Sequence, residues 1–129
     1  MQRARRKIAS GAQYLLTQPV YTRQAADECA KLTAGLGVPV FLGVMPLVSA
    51  RNAEFLHNEF PGISIPETIR ARMREAGDTG AQVGTDIAWE LIEYAWEHFA
   101  GIYLIPPFNR YPMALDLAAR LREKGLWHP

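Results

Sequence analysis

Residues 14–21 read YLLTQPVY, an apolar run that changes abruptly into a hydroxyl, an amide and a proline. Tyr14 to Leu16 are continuous apolar residues, which is typical of a parallel strand covered on both faces. Pro19 has no N–H to donate to a strand ladder. The stretch therefore predicts a first strand at Tyr14–Thr17, with the side chain of Gln18 at its carboxyl end.

Two later stretches repeat this design. Val38 to Met45 is apolar and stops at Pro46, and a strand opened by Gly101 runs into the sequence IPPFNR. Capping residues and apolar spacing predict the helices that flank these strands. The predicted helices are Gln2–Ala9, one capped by Thr22, one capped by Ser49, one that starts at Pro66, a long one from Asp78 or Thr79, and one from Pro112 to Gly125.

Strands that alternate with helices predict the α/β class, because right-handed crossovers make successive strands parallel. A complete (β/α)₈ barrel runs to about 250 residues, and this chain has 129. We therefore predict a parallel barrel-type fold, about half of a TIM barrel, with three strands and flanking helices. Residues 1–129 form a single segment without repeats or an internal linker.

The composition, 49% hydrophobic with a formal net charge of +1, is typical of one globular domain that can bury a core. A charge near zero argues against a nucleic-acid or membrane-surface binder, which needs a basic face. Only the first turn is locally basic, with Arg3, Arg5, Arg6 and Lys7 close together. Taken by itself, this cluster is typical of a solvated helix face.

The single cysteine, Cys29, cannot form a disulfide within the chain, which favours a reducing compartment. No apolar run approaches the ~20 residues of a membrane span. The start of the sequence lacks the apolar segment of a signal peptide, and its arginines lead directly into the first strand, unlike a transit peptide. We therefore expect a cytoplasmic protein.

Polar residues follow the predicted strands at equivalent places. Because parallel strands align their carboxyl ends, we expect Gln18, Asn52 and Arg110 to converge on one mouth. An amide can read the edge of a flat heterocycle, and an arginine can fork onto a carboxylate or phosphate. Each residue alone has an ordinary role: Gln18 capping loop backbone, Asn52 in a first helical turn, Arg110 paired with Asp116. The three together favour a binding site.

Three other motifs have ordinary structural interpretations. His57, His98 and His128 lack the spacing of a metal site, so we predict no metal. Residues 35–37 (GLG) lack the later glycine of a dinucleotide fingerprint and are typical of a helix end. Gly84 lies inside the longest helix, where glycine is unfavourable unless another backbone comes close.

Three phrases closely resemble the carboxyl-terminal half of methylenetetrahydrofolate reductases: LLTQPVY, GVMPLVSARNAEFLHNEFPGISIP and IYLIPPFNR. They are most similar to the branch of the family that is fused to a homocysteine methyltransferase domain in bifunctional bacterial enzymes. The resemblance runs from Arg3 to about Leu121. It implies a flavin-dependent (β/α)₈ barrel, of which this chain would be the second half.

The resemblance also implies an activity. The family reduces 5,10-methylenetetrahydrofolate to 5-methyltetrahydrofolate with NAD(P)H through FAD, in one-carbon metabolism and methionine biosynthesis, and folate and nicotinamide use the same flavin face in turn. By position, Gln18 matches the glutamine that touches the folate ring and the nicotinamide. Asn52 matches a substrate-contacting amide, and Arg110 matches the arginine that faces the folate's glutamate tail. Those three are the expected substrate-binding residues.

The basic first turn gains a role from the same resemblance. Lys7 matches a lysine that contacts the flavin cofactor, and Arg6 and Arg3 lie at neighbouring cofactor-contacting positions. The sequence departs from many relatives on the last strand, where Pro106 and Pro107 replace a tyrosine and a threonine.

The family's proton-donating glutamate lies in the amino-terminal half, so we expect no catalytic residue in this chain. It would be an active oxidoreductase only with that half as a partner. Two alternatives stay open. The chain could be a non-catalytic half-barrel that self-associates through its open strand edges, or a weak flavin- or folate-binding module.

Overall fold

Three strands alternate with helices in this protein, whose computed structural model describes residues 1–127. The strands are β1 (Leu15–Pro19), β2 (Val40–Val44) and β3 (Gly101–Leu104). The α-helices are α1 (Gln2–Ala9), α2 (Arg23–Thr33), α3 (Ala50–Glu59), α4 (Glu67–Ala76), α5 (Gly80–Ala95) and α6 (Tyr111–Glu123). Short 3₁₀ turns span Gly77–Thr79, Trp96–His98 and Pro107–Asn109.

The sheet is parallel and open, with the strand order β1-β2-β3. Leu16 of β1 pairs with Phe41 of β2, which pairs in turn with Gly101 of β3. Each crossover therefore adds its strand beside the previous one, as in a (β/α) barrel. The predicted α/β class, with three parallel strands and flanking helices, is confirmed.

The prediction that β1 stops at Thr17 is wrong, because the strand runs on to Pro19. In the order β1-β2-β3, β1 is an edge strand, where a proline is tolerated because one side of the strand has no ladder partner. The register shifts between Leu16 and Pro19. At this shift the backbone N–H of Gly43 donates to the Thr17 hydroxyl at 2.8 Å. The hydroxyl thus replaces a backbone acceptor where the strand bulges.

One face of the sheet packs against helices. Leu42 and Val44 of β2 are fully buried with Ile92 of α5 and Leu117 of α6. Successive strand residues point to opposite faces, so the other face carries the alternate residues. There Leu16 and Tyr103 remain 49% and 41% exposed. A closed barrel covers that face with further strands.

A second core lies beyond the carboxyl ends of the strands, beneath α3, α4 and the start of α5. It contains Leu47, Ile65, Met73 and Ile87. Gly84 of α5 belongs here, since a β-carbon at this position would overlap the carbonyl oxygen of Leu47. Another backbone therefore does come close to this glycine, which is the condition under which a glycine suits the interior of a helix.

Tyr21 belongs to the same core. Its hydroxyl is buried and has no hydrogen-bond partner within residues 1–127. Burial raises the pKa of this phenol well above its ordinary value, because the charged phenolate is poorly solvated there.

The predicted helix caps form by side-chain hydrogen bonds. Thr22 accepts from the backbone N–H of Ala25 at 3.0 Å, and Ser49 accepts from that of Asn52 at 3.0 Å. Pro66 precedes the first turn of α4 as its N-cap residue, one position earlier than predicted. Among residues 1–127, no helix has both the length and the apolar character of a membrane span.

Candidate functional site

A cavity of about 420 Å³ opens beyond the carboxyl ends of the strands. It is lined by Gln18, Pro19, Met45, Asn52, Phe55, Leu56, Phe60, Ile63, Ile105, Pro107 and Phe108. The two amides are the only polar side chains in this set, and the rest form apolar walls. Such a cavity, with few polar groups in an apolar lining, is typical of a small-molecule site.

Gln18 reaches this cavity because of two local features. It lies within the register shift of β1, between Leu16 and Pro19, next to the Thr17 hydroxyl that accepts from Gly43. Gly62, at φ +86°, lies against it, since a β-carbon on Gly62 would be 2.6 Å from the Oε1 atom of Gln18. A side chain at residue 62 would therefore displace the carboxamide from this position.

Asn52 is the buried polar group of the cavity, only 8% exposed. Its Oδ1 accepts a hydrogen bond from the backbone N–H of Val48 at 3.1 Å. A backbone N–H can only donate, so the oxygen must face Val48 and the Nδ2 donors are directed elsewhere. The loop thus fixes which end of the amide is offered to a ligand.

A second, wider cleft of about 610 Å³ runs along the open edge of β1. Its lining includes Arg3 and Lys7 from α1, Leu16 and Gln18 from β1, and Cys29 from α2. Gln18 lines both this cleft and the cavity. Pro19 also lines both, so the two spaces adjoin at the end of β1. Burial raises the pKa of the Cys29 thiol, which disfavours the reactive thiolate.

The sequence model of one protein family, described as methylenetetrahydrofolate reductase, matches residues 1–106. The chain belongs to this family. The match confirms the resemblance to the family and includes Arg3, Lys7, Gln18 and Asn52. It stops before Phe108 and Arg110. No curated protein matches the chain. Membership in the reductase family makes the chain part of the oxidoreductases of folate metabolism.

Arg110 lies outside the cavity, unlike Gln18 and Asn52, the other two expected substrate-binding residues. It is exposed, precedes α6 as its N-cap residue, and is not among the residues that line the cavity. Its suggested pairing with Asp116 is wrong, since Asp116 accepts from Arg120 at 3.1 Å. Within residues 1–127, Arg110 has no ion pair.

The expected cofactor-contacting residues of α1 also separate into two groups. Arg3 and Lys7 line the cleft along β1, whereas Arg6 is exposed and is absent from that lining. Residues 3 and 7 lie four apart, so they share one face of α1 and Arg6 points elsewhere. The helix therefore offers two of its cations to the cleft that ends at Gln18.

No carboxyl group is present among the described residues that line the cavity. Two glutamates of the neighbouring helices form ion pairs instead. Glu54 pairs with Arg70 at 3.1 Å, and Glu90 pairs with Arg72 at 2.9 Å. The bidentate hydrogen bonds from Arg72 hold the pKa of Glu90 below its usual range. These carboxylates are structural partners of α4.

The histidines have no common site in the described part of the chain. His57 Nδ1 accepts from the backbone N–H of Ile65 at 3.0 Å, which ties α3 to the following loop. In residues 1–127, no three His, Cys, Asp or Glu side chains form a group that could hold a metal ion. His128 lies outside the described residues.

Sequence reasoning missed three phenylalanines of the cavity, Phe55, Phe60 and Phe108. Phe55 is an exposed residue of α3. Phe108 follows the third strand in the sequence PPFNR, at the end of the sheet where ligands bind. Its position after the third strand is the sequence feature that indicates a place in the cavity.

Proposed function

We propose that this chain supplies the folate- and nicotinamide-facing half of a flavin-dependent methylenetetrahydrofolate reductase. The reaction would convert 5,10-methylenetetrahydrofolate to 5-methyltetrahydrofolate with NAD(P)H as the reductant. One observation carries the proposal: Gln18 and Asn52 present two amides to one apolar cavity, and the cation-lined cleft reaches the same Gln18.

The amides suit the folate ring system. A carboxamide donates and accepts in one plane, as the edge of a pterin or of nicotinamide requires. Because Asn52 Oδ1 is engaged by Val48, Asn52 would act as a donor through Nδ2. Within residues 1–127 the Gln18 carboxamide makes no hydrogen bond, so it can present either end and serve two ligands that bind in turn. Arg110 would meet the carboxylates of the glutamate tail outside the cavity.

The chemistry of the cleft fits part of FAD. Arg3 and Lys7 provide cations for a pyrophosphate, and Leu16 provides an apolar surface for a flat ring. When bound, the flavin supplies the hydride relay from NAD(P)H to the one-carbon unit of the folate. This chain's residues would bind and orient the ligands beside it.

The proton donor must come from elsewhere, because the described cavity lining contains no carboxyl group. We propose that an amino-terminal barrel half provides it and also covers the open edge of β1. The exposed inner-face residues Leu16 and Tyr103 support this, since they would become interior side chains of a closed barrel.

A second candidate function rests on the sheet edges. β1 and β3 both lack a strand neighbour on one side within residues 1–127, and unpaired edges invite pairing with another chain. Two copies could join β3 of one to β1 of the other and form a half-barrel dimer without catalysis. Light scattering that gives a monomer would contradict this alternative.

The substitution Gln18→Glu tests the proposed reductase role. In the enzyme completed with an amino-terminal half, it replaces a neutral donor by an anion, so we expect kcat/KM for the folate to fall about tenfold or more. Gln13→Glu introduces the same charge at an exposed residue before β1 and serves as the matched control. Equal kinetics for Gln18→Glu and the control would overturn the assignment of Gln18.

A further inference from the structure

The hydroxyl of Thr17 makes two hydrogen bonds where β1 bulges. It accepts from the backbone N–H of Gly43 at 2.8 Å and donates to the backbone carbonyl of Gln18 at 2.8 Å. A hydroxyl has one proton to donate and lone pairs that accept, so both bonds form at once. One side chain thus joins β2 to the main chain of the residue whose amide lines both the cavity and the cleft.

Gly43 lets the two strands approach closely at this bulge. A β-carbon on Gly43 would lie 2.7 Å from the carbonyl oxygen of Thr17 and 3.2 Å from that of Gln18. The carbonyl oxygen of Gly43 accepts from the backbone N–H of Val20 at 3.3 Å. The two strands are therefore tied on both sides of Gln18, at Thr17 before it and at Val20 after it.

The carboxamide of Gln18 depends on this main chain for its position. Its side chain is exposed, and within residues 1–127 the carboxamide makes no hydrogen bond. Its Oε1 atom only faces the backbone of Gly62. An exposed side chain without hydrogen bonds to the protein moves with its own backbone. A shift of the Gln18 main chain would therefore move the amide relative to any ligand.

We infer that Thr17 is the positioning residue of this amide, because its hydroxyl fixes the Gln18 main chain against β2. This inference rests on the proposed function, in which Gln18 meets a folate and a nicotinamide in turn. Thr17 lines the cleft along β1 but not the cavity that contains Asn52. Its influence on a ligand in the cavity therefore passes through Gln18.

NMR of the chain tests the positioning without any ligand. In the wild type, the side-chain amide protons of Gln18 should show a nuclear Overhauser effect (NOE) to the α-protons of Gly62. Thr17→Val keeps the shape of the side chain but removes the hydroxyl. We expect this variant to lose the NOE and to exchange the amide proton of Gly43 about tenfold faster or more, because that N–H has lost its acceptor.

Two further variants show whether the hydroxyl at this position is responsible. Thr17→Ser retains the hydroxyl, so it should keep both the NOE and the slow exchange. Thr85→Val removes a different hydroxyl, one that donates to a carbonyl within α5 at 2.9 Å. This control should leave the NOE and the exchange of Gly43 unchanged.

A double-mutant cycle in the completed enzyme tests whether Thr17 acts through Gln18. We expect Thr17→Val to raise KM for the folate and for NAD(P)H by similar factors, about three- to tenfold, because both ligands use the same amide. In a Gln18→Ala background, Thr17→Val should change either KM by less than about twofold, since no carboxamide is left to position. Equal effects in the two backgrounds would overturn the inference.

The outcomes distinguish this inference from the proposed function. An NOE that is lost in Thr17→Val and kept in Thr17→Ser would support the positioning role even if the completed enzyme failed to reduce a folate. An unchanged NOE in Thr17→Val, or no NOE in the wild type, would overturn the role and leave the reductase proposal intact. If Thr17→Val does not fold, Thr17→Ser decides: a retained NOE supports the role of the hydroxyl, and a lost NOE overturns it.

Discussion

The backbone of Gly62 faces the carboxamide of Gln18 across the site: a β-carbon on Gly62 would lie 2.6 Å from Gln18 Oε1. Gly62 follows α3 and Gln18 lies on β1, so the contact joins the loop after one helix to the edge strand. The glycine has φ +86°, which suits a residue without a side chain. Gly62 therefore acts as a positioning residue for the amide shared by the two clefts.

Replacing Gly62 by alanine should disturb the site as well as the backbone. We expect Gly62→Ala to lose about 1–2 kcal/mol of unfolding free energy through its positive φ. The added methyl group should also displace Gln18 and raise KM for the folate about three- to tenfold in the completed enzyme. Gly35→Ala is the matched control, because Gly35 has φ +85° with nothing within 4 Å of a β-carbon. A similar KM in both variants would refute the positioning role.

Two substitutions of Asn52 should separate its structural role from its ligand-binding role. Asn52→Ala leaves the Val48 N–H without the acceptor it has at 3.1 Å, so we expect a loss of about 1–3 kcal/mol in urea unfolding. Asn52→Asp keeps the acceptor, and its charge lies near the start of α3, where an anion is favoured. It should retain stability but bind folate poorly, because the Nδ2 donors are gone. Normal folate binding by a stable Asn52→Asp variant would contradict this division.

Gly84 tests the packing beneath the site. Helix propensity alone predicts that Gly84→Ala gains about 1 kcal/mol. The β-carbon would meet the carbonyl oxygen of Leu47, so we expect instead a loss of about 3 kcal/mol from overpacking. Gln82→Ala, on the exposed side of α5, should change the free energy of unfolding by less than about 0.5 kcal/mol. A stabilised Gly84→Ala variant would show that the two backbones are farther apart.

Removing the hydroxyl of Tyr21 should stabilise the protein. That hydroxyl is buried without a partner in residues 1–127, so Tyr21→Phe should raise the free energy of unfolding by about 1 kcal/mol at neutral pH. Tyr111→Phe changes an exposed ring and should leave the free energy of unfolding at neutral pH unchanged. A destabilised Tyr21→Phe variant would reveal a hydrogen bond that the fold depends on.

Tyr21 should also make the free energy of unfolding fall at alkaline pH. Burial raises the pKa of Tyr21 in the folded chain above its ordinary value of 10.0, so the unfolded chain loses this proton first. The wild-type chain should therefore lose stability as the pH rises above about 10, by about 1.4 kcal/mol per pH unit from this group. Urea midpoints at neutral and alkaline pH should diverge between wild type and Tyr21→Phe. Parallel pH curves would contradict the burial of this phenol.

Local chemistry made part of the fold predictable. The hydroxyls of Thr22 and Ser49 cap helices whatever the tertiary context. Gly84 in a long helix raised the question of a close backbone, which only the structure answers. Alternation of strands and helices was enough for the α/β class. The extent of β1 was not predictable in the same way, because Pro19 is tolerated only if its strand lies at a sheet edge.

The site was less accessible to sequence reasoning, because its contacts are long-range. Nothing near Gly62 in the sequence indicates that its backbone faces Gln18. The positive φ of Phe108 depends on the turn that holds it. Asp116 and Arg120 lie one helical turn apart within α6, so they are neighbours on one face and form the ion pair. Arg110 precedes the helix and is not such a neighbour.

The central claim is that this chain is one half of a reductase barrel and carries part of its ligand sites. Co-expression with the amino-terminal half of a family member, followed by size-exclusion chromatography with light scattering and flavin absorbance, tests it most directly. We predict a one-to-one complex that carries flavin colour and oxidises NAD(P)H when methylenetetrahydrofolate is added. A colourless chain that elutes apart from the amino-terminal half would contradict the claim.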